Sequence, residues 1–308
     1  MRWTHTRAVW TMVANAAMWS IAGVVTRQLE RAQSFEVTFW RSFFTALCLL
    51  VILRIVQGRG FLPRLFSAPR VLWWSGVCWA GMFTAFMVAL TLTRVAEVLI
   101  TMALGPLLSA LVARVFFHQK IARSTWVAIG VASVGMVWMF AEPRTDGPGP
   151  WSWGSLVALI VPLCAAVNWN IVQHAQLRGQ SVDMVPAVLI GAAFSAIATL
   201  PLAMPFQATT QDMAWLSLLG AVQLAIPCTL VVMCARVLSA AEISLLALLE
   251  VLFGTLLAWF LANEVPSDRV LTGGALVLLA LLFNLWWARD LSQGKTKQGE
   301  IKNVTSRH

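Results

Sequence analysis

Two stretches of this chain say nearly the same thing about 145 residues apart. AEVLITMALGPLLSALVARVFFHQK begins at Ala96, and AEISLLALLEVLFGTLLAWFLANEV begins at Ala241. Each is an apolar run long enough to cross a bilayer. Each is followed by a short polar turn and a further apolar run, from Ser124 and from Arg269. Hydrocarbon offers no partner to a backbone N–H or C=O, so such runs are confined to helices that satisfy their own main chain. Duplication of a membrane-embedded unit points further, to transporter architectures whose binding site lies between the repeats.

The rest of the chain agrees. It is 59% apolar and 11% charged, against about 25% charged in an average soluble domain. Its apolar runs are continuous rather than alternating, which excludes a β-barrel reading. Runs of about 20 residues place spans at 8–26, 34–56, 70–92, 97–117, 123–141, 153–174, 183–205, 212–235, 241–262 and 268–289. The first run is full length and lacks a small-residue cleavage site, so it reads as a span rather than a signal peptide. The turn-rich segment 142–152 is the one obvious break, separating a first five-span unit (8–141) from a second (153–289). The tail 290–308 is polar and fits a disordered segment on the cytoplasmic side.

An odd number of spans per unit means that the second unit enters the membrane from the opposite side. The expected fold is therefore all-α and integral to the membrane, with ten transmembrane helices as two inverted five-helix repeats. With the N-terminus inside, fifteen Lys and Arg residues fall on the cytoplasmic side and five on the other. That bias orients both termini toward the cytoplasm of a cell membrane. Sixteen Trp and no Tyr are present. Trp73, Trp74, Trp151, Trp153, Trp286 and Trp287 sit at span ends, where an interfacial aromatic belt is expected, whereas Trp19, Trp79 and Trp169 lie deeper.

Other function classes find no support. The net charge of +9 is scattered through loops and tail, with no basic stripe to suggest nucleic acid. All five cysteines lie inside apolar runs without metal-ligand spacing, and the histidines sit at helix or chain ends, so no metal or other cofactor is expected. No nucleotide loop or catalytic triad pattern is present, so the chain does not read as an enzyme.

At this point the residues resemble a known family. Met18-Trp19-Ser20 in span one, Arg41 in FEVTFWRSFFTAL, the segment from Gly105-Pro106 to His118-Gln119-Lys120, and Leu249-Glu250-Val251 through Asn263-Glu264-Val265 are similar to motifs of EamA-type transporters in the drug/metabolite transporter superfamily. Gln119 stands where the first repeat of that family usually has Glu, and Val251 where the second usually has Pro, so the two repeats are not expected to bend alike. The resemblance implies a secondary active transporter, exporting a small metabolite, amino-acid-like solute or drug by alternating access. A passive facilitator or channel for small organic solutes is the alternative. Partners would be the substrate, protons as a coupling ion, and the lipid bilayer, with the chain a monomer or homodimer.

Candidate residues follow from the cost of polarity in hydrocarbon. A charge at mid-membrane costs about 2.5–3.5 kcal/mol on insertion scales, so Glu250 must have a partner, a wet cavity or a proton. Removing a carboxyl from water favours its neutral form, which makes Glu250 a candidate for proton exchange, or else neutral glue between helices. Its counterpart in the first copy is Gly105. Arg41 sits two turns inside span two and is expected either to snorkel outward or, the favoured reading, to pair with a carboxylate in a structural role, while Arg114 snorkels from its span end. Asn15, Trp19, Trp79, Asn168, Trp169 and Gln223 are candidate substrate contacts, with interhelical hydrogen bonding the competing role. Asn168 and Asn170 are two residues apart and cannot share one helix face. Pro106 is a candidate gating hinge, since proline removes a main-chain hydrogen bond. Gly130 and Gly273-Gly274 are read as close-packing positions.

Overall fold

Hydrocarbon-length helices begin where the chain supplies a cap or an extended residue. A computed structural model describes residues 4–58, 60–117, 123–140, 153–178, 183–234, 237–238, 240–261, 265–269, 271–280 and 282–283. Extended Thr4 caps α1 (His5–Thr26) by accepting from the Arg7 amide. Extended Gln33 and Pro69 precede α2 (Ser34–Gln57) and α4 (Arg70–Leu92), and α3 (Phe61–Phe66) is a short helix between them. There follow α5 (Val95–Met102), α6 (Gly105–Phe117), α7 (Arg123–Phe140), α8 (Trp153–Leu177) and α9 (Val185–Ala203). Thr209 and Asp212 form a reciprocal capping box at the start of α10 (Thr210–Leu218). A π-helix (Leu219–Ala225), α11 (Ile226–Cys234) and α12 (Ala240–Leu261) complete the series, with a further helical stretch at Leu271–Ala280.

Six of these helical units are long and apolar enough to cross a membrane: α1, α2, α4, α8, α9 and the continuous unit Thr210–Cys234. The α5–α6 pair passes the same test as a seventh, bent by 42°. The three other expected spans fall on α7, α12 and 271–280, where the described apolar stretches are Trp126–Gly135, Leu249–Leu261 and Leu271–Ala280. The linker 142–152 and tail 290–308 lie outside the described residues.

Polarity is distributed as a lipid-embedded bundle requires. Ile55, Trp74, Ile197 and Phe260 are exposed, while Asn15, Thr38, Arg41, Ser42, Asn168 and Ser195 are buried. A bundle in water would reverse that arrangement. Interior hydroxyls are satisfied locally, as in Thr45 Oγ1 to the Arg41 carbonyl at 2.8 Å and Thr199 Oγ1 to the Ser195 carbonyl at 2.7 Å. Ser195 Oγ lies 2.9 Å from both Ser42 Oγ and Thr84 Oγ1, which ties α9 to α2 and α4.

The packing partners are α4 with α8 and α9, α2 with α9 and the π-helix, α1 with α12 and α11, and α8 with α6 and α5. Small residues permit the tightest of these. A Cβ on Gly220 would fall 2.7 Å from the Arg41 carbonyl oxygen, so only glycine lets the π-helix lie against α2. Gly274 and Gly135 likewise have neighbours at a built Cβ, whereas Gly130 has nothing within 4 Å, so that position does not serve close packing.

Two spans depart from a single continuous α-helix. Span four is not one kinked helix: it breaks after Met102, and Pro106 lies in the first turn of α6, where a missing N–H costs nothing because first-turn amides have no intrahelical partner. Span eight includes seven residues in the π-helix, which carries Gln223.

At one end of the bundle, two buried carboxylates clasp opposite loops. Glu36, in the first turn of α2, accepts from the Gln207 and Ala208 amides at 2.8–3.0 Å. Asp212, in the first turn of α10, accepts from the Glu30 and Arg31 amides at 2.8 and 3.2 Å, and from Thr209 at 3.0 Å. Each carboxylate thus holds the loop that leads into the other's helix.

Candidate functional site

Arg41 is among the largest fully buried side chains described, 1% exposed two turns inside an apolar helix. Its partner is not the carboxylate expected from sequence. Gln223 Oε1 accepts from Arg41 Nε at 3.2 Å and from Nη2 at 2.9 Å. The Gln223 Nε2 in turn donates to the Trp19 carbonyl at 3.3 Å. The π-helix makes this possible, since a widened turn re-aims one side chain and frees main-chain groups. Phe83 and Phe86 on α4 lie under the guanidinium, with ring centroids 5.9 and 5.5 Å from Cζ. Their faces supply electron density that a buried cation would otherwise take from water.

Around this centre the structure gathers four of the sequence-derived candidates. Asn15 and Trp19 are one turn apart on α1. Asn15 is fully buried, and its Nδ2 donates to the Pro227 carbonyl at 3.2 Å. Ser20, next to Trp19, donates to the Glu250 carbonyl at 3.3 Å, which fixes the α12 backbone against α1. Glu250, half-buried, is within electrostatic reach of the fully buried Arg41 and Cys228. Two buried atoms of this group lack a hydrogen-bond partner: Nη1 of Arg41 and Oδ1 of Asn15. Chemically, the cluster holds one cation, one carboxyl, a free donor and a free acceptor.

The remaining candidates lie elsewhere. Asn168 accepts from Ser75 Oγ at 2.6 Å across the α4–α8 seam, and its Nδ2 is unpartnered. Trp79 is half-buried on α4 and packs against Phe83, whereas Trp169 is 47% exposed and meets Trp79 edge-on at 6.3 Å. Asn170 is also buried, bonding Ser109 at 3.0 Å, so the two asparagines use opposite faces of α8 toward different neighbours. Phe83, Phe86 and Cys228 were not legible as site residues. They are ordinary residues of apolar helices, and only their approach to Arg41 and Glu250 distinguishes them.

Comparison with known proteins places the chain by family and fold. The profile of the EamA-like transporter family matches residues 6–141 and again residues 152–286. An S-adenosylmethionine uptake transporter of Rickettsia prowazekii (strain Madrid E) is 24% identical over 305 residues, covering 96% of each chain. The S-adenosylmethionine uptake transporter of Rickettsia felis (strain ATCC VR-1525 / URRWXCal2) is 24% identical over 258 residues, with 83% of this chain and 84% of that one covered. A solved crystal structure superposes with a TM-score of 0.63 at 18% identity, covering 94% of this chain and 99% of the other, a likeness of fold alone. Apolar helices in the length range of a bilayer, polar groups turned inward and a family profile that spans most of the chain lead to one conclusion: this is a multi-pass membrane transporter belonging to the EamA-like transporter family.

Proposed function

We propose that the chain is a secondary active transporter of ten spans, built as two inverted five-helix repeats (8–141 and 153–289) that carry a small, amino-acid-like metabolite by alternating access. The twofold match of the family profile supports the repeat. So does the packing: α4 against α8 has its inverted equivalent in α11 against α1, and α1 against α12 in α8 against α5 and α6. The positive-inside bias supports cytoplasmic termini in the cell membrane.

The observation that carries the functional reading is the Arg41–Gln223–Glu250 cluster. It is assembled from both halves of the chain, and it keeps charge inside apolar helices, where charge is retained for function. Glu250 is the candidate proton carrier. The family resemblance favours export, while the relatives are named for uptake, and we adopt uptake because one of those relatives aligns along nearly the full chain. S-adenosylmethionine is the first solute to try.

The test is flux of labelled S-adenosylmethionine and of amino acids into proteoliposomes under an imposed proton gradient. Saturable, gradient-driven entry that Glu250→Gln reduces at least tenfold is expected. Saturable entry indifferent to uncouplers would assign a passive facilitator instead. No entry of any amino-acid-like solute would overturn the reading.

A further inference from the structure

We propose that Arg41 and Glu250 are the two poles of a subsite for the zwitterionic α-amino-acid end of the substrate, with the carboxylate on Arg41 Nη1 and the ammonium between Glu250 and Asn15 Oδ1. The proposal rests on the transport reading and names the substrate class for its central cluster.

The argument starts from what the guanidinium has left over. Gln223 occupies Nε and Nη2 of Arg41 through a single oxygen, and Nη1 has no partner although it is shut off from solvent. A planar guanidinium with one free edge suits a carboxylate better than any neutral acceptor, because the bond is charge-assisted. Phe83 and Phe86 wall the cation with apolar rings.

The other pole is built from acceptors. Asn15 Nδ2 is committed to the Pro227 carbonyl, so the amide orientation leaves Oδ1 as its free atom, and that atom has no partner. Pro227 precedes Cys228, which is within electrostatic reach of both Arg41 and Glu250. Asn15, Arg41 and Glu250 are therefore each linked to the Pro227–Cys228 pair at the start of α11. An ammonium needs acceptors and a compensating negative charge, and Oδ1 with the Glu250 carboxylate supplies both. A solute lacking either pole leaves a buried polar group unpaired, which is the strongest form of discrimination a site can apply. Nη1 and Oδ1 are both enclosed in this conformation, so loading requires α1 and α12 to part from α2 and the π-helix.

Full-length protein in detergent would be screened by thermal shift against four probes, with proteoliposome flux measured in parallel. The probes are S-adenosylmethionine, its decarboxylated form, its carboxyl methyl ester, and 5′-methylthioadenosine. The result expected is stabilisation of the wild type by the first probe, and at least tenfold weaker binding of the other three. Arg41→Lys, which keeps the charge but not the fork, should weaken S-adenosylmethionine tenfold or more while leaving the decarboxylated form unchanged. Because the probe series is read on the wild-type protein, a variant that fails to fold does not decide the outcome. Equal binding and flux for decarboxylated and intact S-adenosylmethionine would overturn the subsite and leave the transport reading standing. Absence of binding and flux for all amino-acid-bearing probes would overturn both.

Discussion

Gln223 shows how much a single side chain does in this interior. Its oxygen takes two N–H groups of a guanidinium that has no access to water, and its nitrogen secures the α1 main chain. Replacing it with Leu leaves those donors unpaired in a site where they cannot be rehydrated. Gln223→Leu is expected to destabilise the protein by about 1.5–3 kcal/mol, measured as a drop in the midpoint of detergent-denaturation curves. An unchanged midpoint would mean that Arg41 finds another partner. Gly220, three residues earlier, is constrained by contact rather than chemistry. Gly220→Ala places a methyl 2.7 Å from the Arg41 carbonyl oxygen. The expected cost is about 1–3 kcal/mol in the same assay, and wild-type stability would show that the π-helix can shift away.

Elements are joined by groups that their own sequences do not advertise. Glu36 and Asp212 look like ordinary first-turn acids, placed where a helix dipole favours negative charge. In three dimensions each reaches across to amides of the opposite loop, and both are essentially inaccessible to solvent. Asp212→Ala should free the Glu30, Arg31 and Thr209 amides. Hydrogen-exchange mass spectrometry is expected to show faster exchange at residues 28–33, with little change in α4 or α9. Equal protection in the two proteins would sink the clasp as a link between loops. In the alternating-access cycle proposed above, such a link between the α1–α2 and α9–α10 turns would hold that end of the bundle shut. In the same way, the break at Ala103-Leu104 makes span four two short rods, so Pro106 starts a helix instead of bending one.

At the scale of the molecule, the proposed topology assigns an outside to the clasp loops and an inside to the turn before α9. Gln207 and Asp183 are both exposed at opposite ends of α9. In whole cells, a membrane-impermeant thiol reagent should label Gln207→Cys directly and Asp183→Cys only after permeabilisation, on a background in which the native cysteines are replaced. The reverse pattern would invert the orientation, and labelling of both would contradict a span between them.

Hydropathy alone determined the all-helical, membrane-embedded class and the placing of most described helices within a few residues. These follow from a local rule: an amide in hydrocarbon must bond within its own helix. The duplicated stretch at Ala96 and Ala241, and the charged residues Arg41 and Glu250 as points of interest, were likewise legible from residue type and depth. What only the tertiary structure decided is who meets whom. Arg41 was expected to find a carboxylate and found the amide of Gln223. Asn15 and Trp19 joined it, while Asn168 and Trp169, equally plausible by sequence, went to the α4–α8 seam. The π-helix, the α5–α6 break and the crossed clasp of Glu36 and Asp212 had no local signature. Each depends on contacts between residues far apart in the chain, and local pattern carries no information about those distances.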